Sequence, residues 1–210
     1  MILNLDNISF NYTHQALLFE EAKLQLKSGE RLAIIGGNGS GKTTLLKLIL
    51  GFLPPGNGVI AKSPNLQLSY ANIERSGHYP TLTGLENLFL WRALTNISKA
   101  QFASAMAEWQ ECALFKKTLT QRANSFSTGM SSILALFKAL NFFSSDQRLA
   151  CLDEPWAHLD QSAQTFIASK IKANPQHSSM IITCHQLSDN IHTVCSRTLQ
   201  IEGGKLVPCH

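Results

Sequence analysis

Residues 36 to 43 read GGNGSGKT, with the short apolar run LAII just before them and LLKLIL just after. The stretch satisfies G-x-x-x-x-G-K-[ST] in the context that makes the pattern credible, a buried strand before and a helix after. Glycines let a backbone wrap around phosphates and turn amide N–H groups inward, while the dipole of the following helix favours negative charge. Lys42 is placed to reach β- and γ-phosphates, and the Thr43 hydroxyl to ligate Mg²⁺. The competing reading is a glycine-rich structural turn. Strand, lysine, threonine and helix all in register count against it.

RLACLDEP supplies a second half for such a site. Asp153 and Glu154 end a buried strand, where successive side chains point to opposite sides, so they cannot share one role. Asp153 is placed to hold Mg²⁺ through its water shell, and Glu154 to polarise an attacking water. His185 follows the apolar run MIITC in the same way. A lone histidine there is more often a structural hydrogen-bonder. In a parallel sheet, however, the C-terminal strand ends surround one crevice, so His185 is also placed to face a γ-phosphate.

With 210 residues the chain can bury a full core. An apolar share of 44% and a charged share of 15% are those of an ordinary globular protein. A net charge of +4 without dense Lys/Arg clusters excludes nucleic acid as the expected partner. No apolar run is long enough to cross a bilayer, and MILNLDNISF is not a secretion signal. Cys112, Cys151, Cys184, Cys195 and Cys209 lack paired or metal-ligand spacing, which predicts reduced core thiols in the cytosol.

The pattern along the chain predicts an early strand in ILNLDNISF, a turn at Lys27-Ser28-Gly29-Glu30, and a helix after the loop closed by Gly51. GNG at residues 56 to 58 predicts a tight turn. Thr83–Glu86 and Ser98–Gln101 match the capping box, and Phe102, Met106, Trp109 and Ala113 repeat at helical spacing. LACL and MIITC are further strands, and LQIEGGKLV a closing hairpin. The expected fold is therefore α/β: a mainly parallel sheet with an antiparallel N-terminal part and an inserted helical subdomain. One domain spans residues 1–210, with 1–80 and 144–210 as its core and 81–143 as the insert.

Together these pieces resemble the ATPase domain of ABC transporters, over nearly the whole chain. GGNGSGKTT resembles the Walker A loop, LACLDEP the Walker B strand, AHLD the D-loop, and His185 in TCHQ the switch histidine. FSTGM, at Phe126 to Met130, resembles the signature motif, and Tyr12 in FNYTHQ the aromatic residue that stacks on adenine. The resemblance implies ATP and Mg²⁺ as cofactors. It places Gly36, Asn38, Gly39, Ser40, Gly41, Lys42, Thr43 and Thr44 around the phosphates and assigns Asp160 to the D-loop. It also implies head-to-tail pairing with a second ATPase subunit, whose nucleotide would meet Ser127 and Gly129. FSTGM by itself reads equally as a helix N-cap.

In such a family a separate permease supplies the membrane pathway and cargo contacts, and the ATPase sits on the cytoplasmic face of the membrane. The compact chain and TCHQ also resemble the haem exporter ATPase of cytochrome c maturation; a drug, lipid or antibiotic exporter subunit fits as well. Three departures from the family pattern stand out. Glu74, or alternatively Asn72, falls where a Mg²⁺-contacting glutamine is usual. Met130-Ser131-Ser132 opens the signature helix, and His158 takes a D-loop place that is often glycine. The signature sequence and Glu74 motivate the alternative of a nucleotide-gated module with little hydrolysis.

Overall fold

Apolar runs form the central parallel strands, because a strand covered on both faces has no solvated side toward which to alternate. The computed structural model describes residues 1–72, 77–95, 97–141, 147–174 and 178–209. In it β3 (Arg31–Ile35), β6 (Arg148–Asp153) and β7 (Ser178–Cys184) are buried along nearly their whole length. β6 pairs with β7, β7 with β3, and β3 with β8 (Arg197–Glu202), all in parallel. β9 (Lys205–Pro208) returns antiparallel around Gly203-Gly204, as the sequence predicts. With β5 (Gln67–Ala71) the order is β5-β6-β7-β3-β8-β9.

β1 (Leu3–Phe10), β2 (Phe19–Leu26) and β4 (Asn57–Lys62) make a separate antiparallel sheet ordered β2-β1-β4. The turn expected at residues 56 to 58 is displaced, since Asn57 already pairs with Ser9 as the first residue of β4. The turn before β3 forms as expected: the Glu30 amide donates to the Lys27 carbonyl, 3.2 Å, and Gly29 donates to the buried Ser179 hydroxyl, 2.8 Å. α1 (Lys42–Leu50) follows the loop and ends at Gly51.

The chain divides into two units, Met1–Leu68 with Ser145–Glu154 and Pro175–His210, and Ser69–Ser144 with Pro155–Asn174. The first holds β1 to β4, β6 to β9 and the start of β5, where the Gln67 amide donates to the Gln147 carbonyl at 3.0 Å. The second is helical: α2 (Gly84–Thr95), α3 (Lys99–Trp109), α4 (Ala113–Thr120), α5 (Thr128–Leu140) and α6 (Gln161–Ala173). Its centre is aromatic. Phe137 stacks on Phe115 at 5.1 Å and meets Trp109 edge-on at 5.2 Å, and Trp109 meets Phe166 at 5.4 Å. Such pairs each contribute about 0.5–1.5 kcal/mol beyond the area they bury.

Both capping boxes form. Thr83 and Glu86 exchange bonds of 2.8 and 3.2 Å, and Ser98 and Gln101 do the same across 3.2 Å. Phe102, Met106 and Trp109 are buried as their spacing predicts. Ala113 breaks the stripe: it is exposed and starts α4, because α3 has already ended at Trp109.

Candidate active site

The glycine-rich loop leaves β3 at Ile35 and enters α1 at Lys42. Gly41 precedes the helix at φ 104°, and a β-carbon there would meet the Phe19 ring at 2.8 Å, so this position admits only glycine. Lys42 is 6% exposed, and a buried ammonium needs partners. Its Nζ donates to the carbonyls of Gly36, 2.8 Å, and Gly37, 3.1 Å, and lies 3.3 Å from Glu154 Oε1. The Ser40 hydroxyl is buried without a hydrogen-bond partner among the described residues.

Asp153 ends β6 and is buried; Glu154 follows with its backbone at φ 51°. The reversal of strand geometry between them separates the two carboxylates. Thr43 Oγ1 donates to Asp153 Oδ2 at 2.7 Å, whereas Glu154 turns toward Lys42 and lies 3.1 Å from His185 Nε2. The Thr183 hydroxyl donates to Asp153 Oδ1 at 2.6 Å and accepts the Glu154 amide at 3.1 Å. Sequence reasoning missed Thr183. A hydroxyl inside the apolar run MIITC, two residues before His185, was the available signal.

Beside the loop lies a cavity of about 300 Å³ whose lining includes Tyr12, Gln15, Leu18, the loop residues and Glu154. Tyr12 leans edge-on against Phe10, 5.0 Å between centroids, and its hydroxyl shares a 3.0 Å hydrogen bond with Thr44. Gln15 and Leu18 carry no motif that a sequence could announce. Burial pushes the neighbouring Cys184 thiol up to about 11, with Lys42 opposing, so Cys184 stays a neutral thiol near neutral pH.

Tyr12, the loop, Asp153, Glu154 and His185 thus come together in the first unit. Ser127 and Asp160 belong to the helical unit, and there each makes a local bond. Ser127 caps α5, its hydroxyl accepting the Met130 amide at 3.2 Å, and Asp160 caps α6, accepting from Ala163 at 2.8 Å. Gly129 sits in the first turn of α5, ahead of the buried Met130, Ile133, Leu134 and Phe137. His158 adopts φ 63°, the left-handed backbone that glycine takes without strain. Glu74 lies outside the described residues.

The chain matches the ABC transporter family over residues 19–157. The uncharacterized ABC transporter ATP-binding protein YthP of Bacillus subtilis is 30% identical over 196 residues, 93% of this chain and 80% of that protein. The zinc import ATP-binding protein ZnuC of Psychrobacter arcticus is 28% identical over 192 residues, 89% of this chain and 74% of its own length. A solved structure described as the ATP binding subunit of an ABC transporter superposes with a TM-score of 0.81 at 25% identity, covering 98% of this chain and 88% of that one.

Proposed function

Because this chain belongs to the ABC transporter family as one of its ATP-binding, ATP-hydrolysing subunits, we propose that its nucleotide sits on Gly36–Thr43 with the adenine toward Tyr12. One observation carries this reading: Lys42, Thr43, Asp153, Glu154 and His185 converge at one end of the loop through contacts of 2.7 to 3.3 Å. Loop amides and the Lys42 ammonium meet the phosphate charge. Glu154 accepts a proton from the attacking water. His185, bonded to Glu154, keeps that carboxylate aimed and stands within reach of the transferred phosphoryl group.

The Thr43 hydroxyl and Asp153 carboxylate, 2.7 Å apart, are the hard oxygen donors that Mg²⁺ prefers. They would hold the ion, Asp153 through its water shell. When bound, Mg²⁺ neutralises charge developing on the β- and γ-oxygens.

ATP-binding subunits of this family work with transmembrane components, and among the described residues no helix is long and apolar enough to cross a membrane. We therefore assign the pathway to a separate permease on whose cytoplasmic side this chain sits. The two units act as one ATPase domain, with residues 81–143 presenting Ser127 and Gly129 to the nucleotide of a second subunit. Haem export, suggested by TCHQ, has no support beyond the family resemblance itself. The membrane protein that co-purifies with the chain identifies the cargo class.

Steady-state ATPase measurement on the purified chain, with and without membranes, tests the reading together with Glu154→Gln. That variant keeps ATP binding, loses turnover and accumulates an ATP-bound dimer. Turnover equal to that of the unsubstituted chain removes Glu154 from the role. Binding and dimerisation with no turnover in the unsubstituted chain would instead favour the nucleotide-gated module that the signature sequence and Glu74 motivate.

A further inference from the structure

We propose that Thr183 is a positioning residue for hydrolysis, its single hydroxyl holding Asp153 and the backbone of Glu154 in one arrangement. The inference rests on the ATPase reading above. Thr183 is 0% exposed and stands directly opposite Asp153 in the parallel pairing of β7 with β6. Its one proton goes to Asp153 Oδ1, 2.6 Å, and one of its lone pairs receives the Glu154 amide, 3.1 Å. Both hydrogen-bonding capacities of the hydroxyl are used on these two neighbours.

The bond to the amide matters because of where Glu154 sits. Its φ of 51° is left-handed, a conformation that a side-chain-bearing residue keeps only where surrounding contacts over-determine it. Thr183 restrains the peptide, and His185, two residues further on, meets the carboxylate at 3.1 Å. The end of β7 therefore grips Glu154 twice, once by the backbone and once by the side chain. Loss of the Thr183 hydroxyl leaves the His185 contact in place but frees the peptide from which the carboxylate is aimed. The same loss strips Asp153 of a short charge-assisted bond, leaving Thr43 on its other oxygen.

Thr183→Val preserves size and branching and removes only the hydroxyl; Thr183→Ser keeps the hydroxyl. Misaiming a reacting group by about 1 Å costs up to roughly a hundredfold, so kcat in Thr183→Val should fall at least tenfold. The KM and Kd for ATP should stay within about twofold, because the loop and Lys42 that meet the phosphates are unchanged and Asp153 keeps its Thr43 bond. Thr183→Ser should restore most of the rate. Circular dichroism of each variant verifies folding, and if the valine variant does not fold, Thr183→Cys, a weak donor of similar size, takes its place with the same expected loss. Equal kcat in the Val and Ser variants overturns the proposal, and so does a raised KM at unchanged kcat. Absence of turnover in the unsubstituted chain overturns the ATPase reading itself, and Thr183 with it.

Discussion

A β-carbon on Gly129 would stand 2.7 Å from the carbonyl oxygen of His158, closer than such atoms approach without displacement. Both residues belong to the helical unit, and the oxygen is backbone, so it cannot swing aside as a flexible side chain would. The glycine in FSTGM is thus required by packing within its own chain, whatever it does for a partner. Alanine in a helix gains at most about 1 kcal/mol over glycine. Overpacking typically costs about 1–3 kcal/mol, so the clash wins. Gly129→Ala should lower the stability of the chain, measured by urea unfolding without nucleotide. Unchanged stability would show that the loop at His158 yields freely.

Because Gly129 is needed for packing, the shared-site arrangement is better tested at Ser127. Ser127→Asp keeps a good N-cap for α5, since aspartate accepts the same amide. It also adds a negative charge where the partner's γ-phosphate would come, and like charges repel strongly in a dry interface. Lys42→Ala has the opposite defect, an intact signature and a disabled loop. In a Glu154→Gln background, neither chain alone should associate with ATP. Their mixture rebuilds one complete site and should associate at high protein concentration. A mixture as monomeric as its separate components would reduce FSTGM to a helix cap.

Tyr12 offers a sharper division between ring and hydroxyl. A ring stacked on a base contributes about 1–3 kcal/mol, equivalent to an affinity change of roughly 5- to 150-fold. Tyr12→Ala should therefore weaken ATP binding by that factor, read by titration calorimetry. Tyr12→Phe loses only the bond to Thr44 and should bind nearly as the unsubstituted chain does. Equal Kd values for the alanine and tyrosine proteins would make Tyr12 a packing residue against Phe10.

His78 adds to the acid sensitivity of the helical unit. Burial first, and the Lys138 charge second, lower its pKa from 6.5 to about 3. Its Nε2 is buried without a hydrogen-bond partner among the described residues, and its ring lies edge-on to Phe126 at 5.8 Å. The folded chain keeps the imidazole neutral, whereas the unfolded chain takes a proton near pH 6.5. Its stabilising contribution is therefore complete above pH 6.5 and is lost progressively as pH falls toward about 3. Replacing it by leucine should flatten this part of the stability–pH curve. Parallel curves for the two proteins over that range would show that His78 is protonated in the fold.

Contiguous features were legible in the sequence. The loop with its flanking strand and helix, the parallel strands, both capping boxes, the β8–β9 hairpin and the cap at Ser127 are all written in neighbouring residues. Local physics decides each of them: a run buried on both faces, a hydroxyl three residues before its amide, glycine where the backbone must turn back. Where local signals were ambiguous the reading slipped, as with Ala113, whose helical spacing continued past the end of α3.

The tertiary structure alone decided which side chains and backbone groups meet. Asn87 looks like an ordinary helix residue, yet its buried amide donates to the carbonyls of Tyr79, Leu82 and Thr83 and accepts the Tyr79 amide at 2.7 Å. Nothing in the segment marks it. Thr183 meets Asp153 and Glu154 only because β7 and β6 pair in one register; a shift of one residue would turn its hydroxyl to the other face of the sheet. His158 and Gly129 constrain one another through a backbone oxygen, which no residue type in the sequence records. Residue identity set which groups could bind phosphate or carry a proton, because that chemistry belongs to each side chain. Pairing and packing set which of them meet, because a hydrogen bond works only within a few tenths of an ångström of its length.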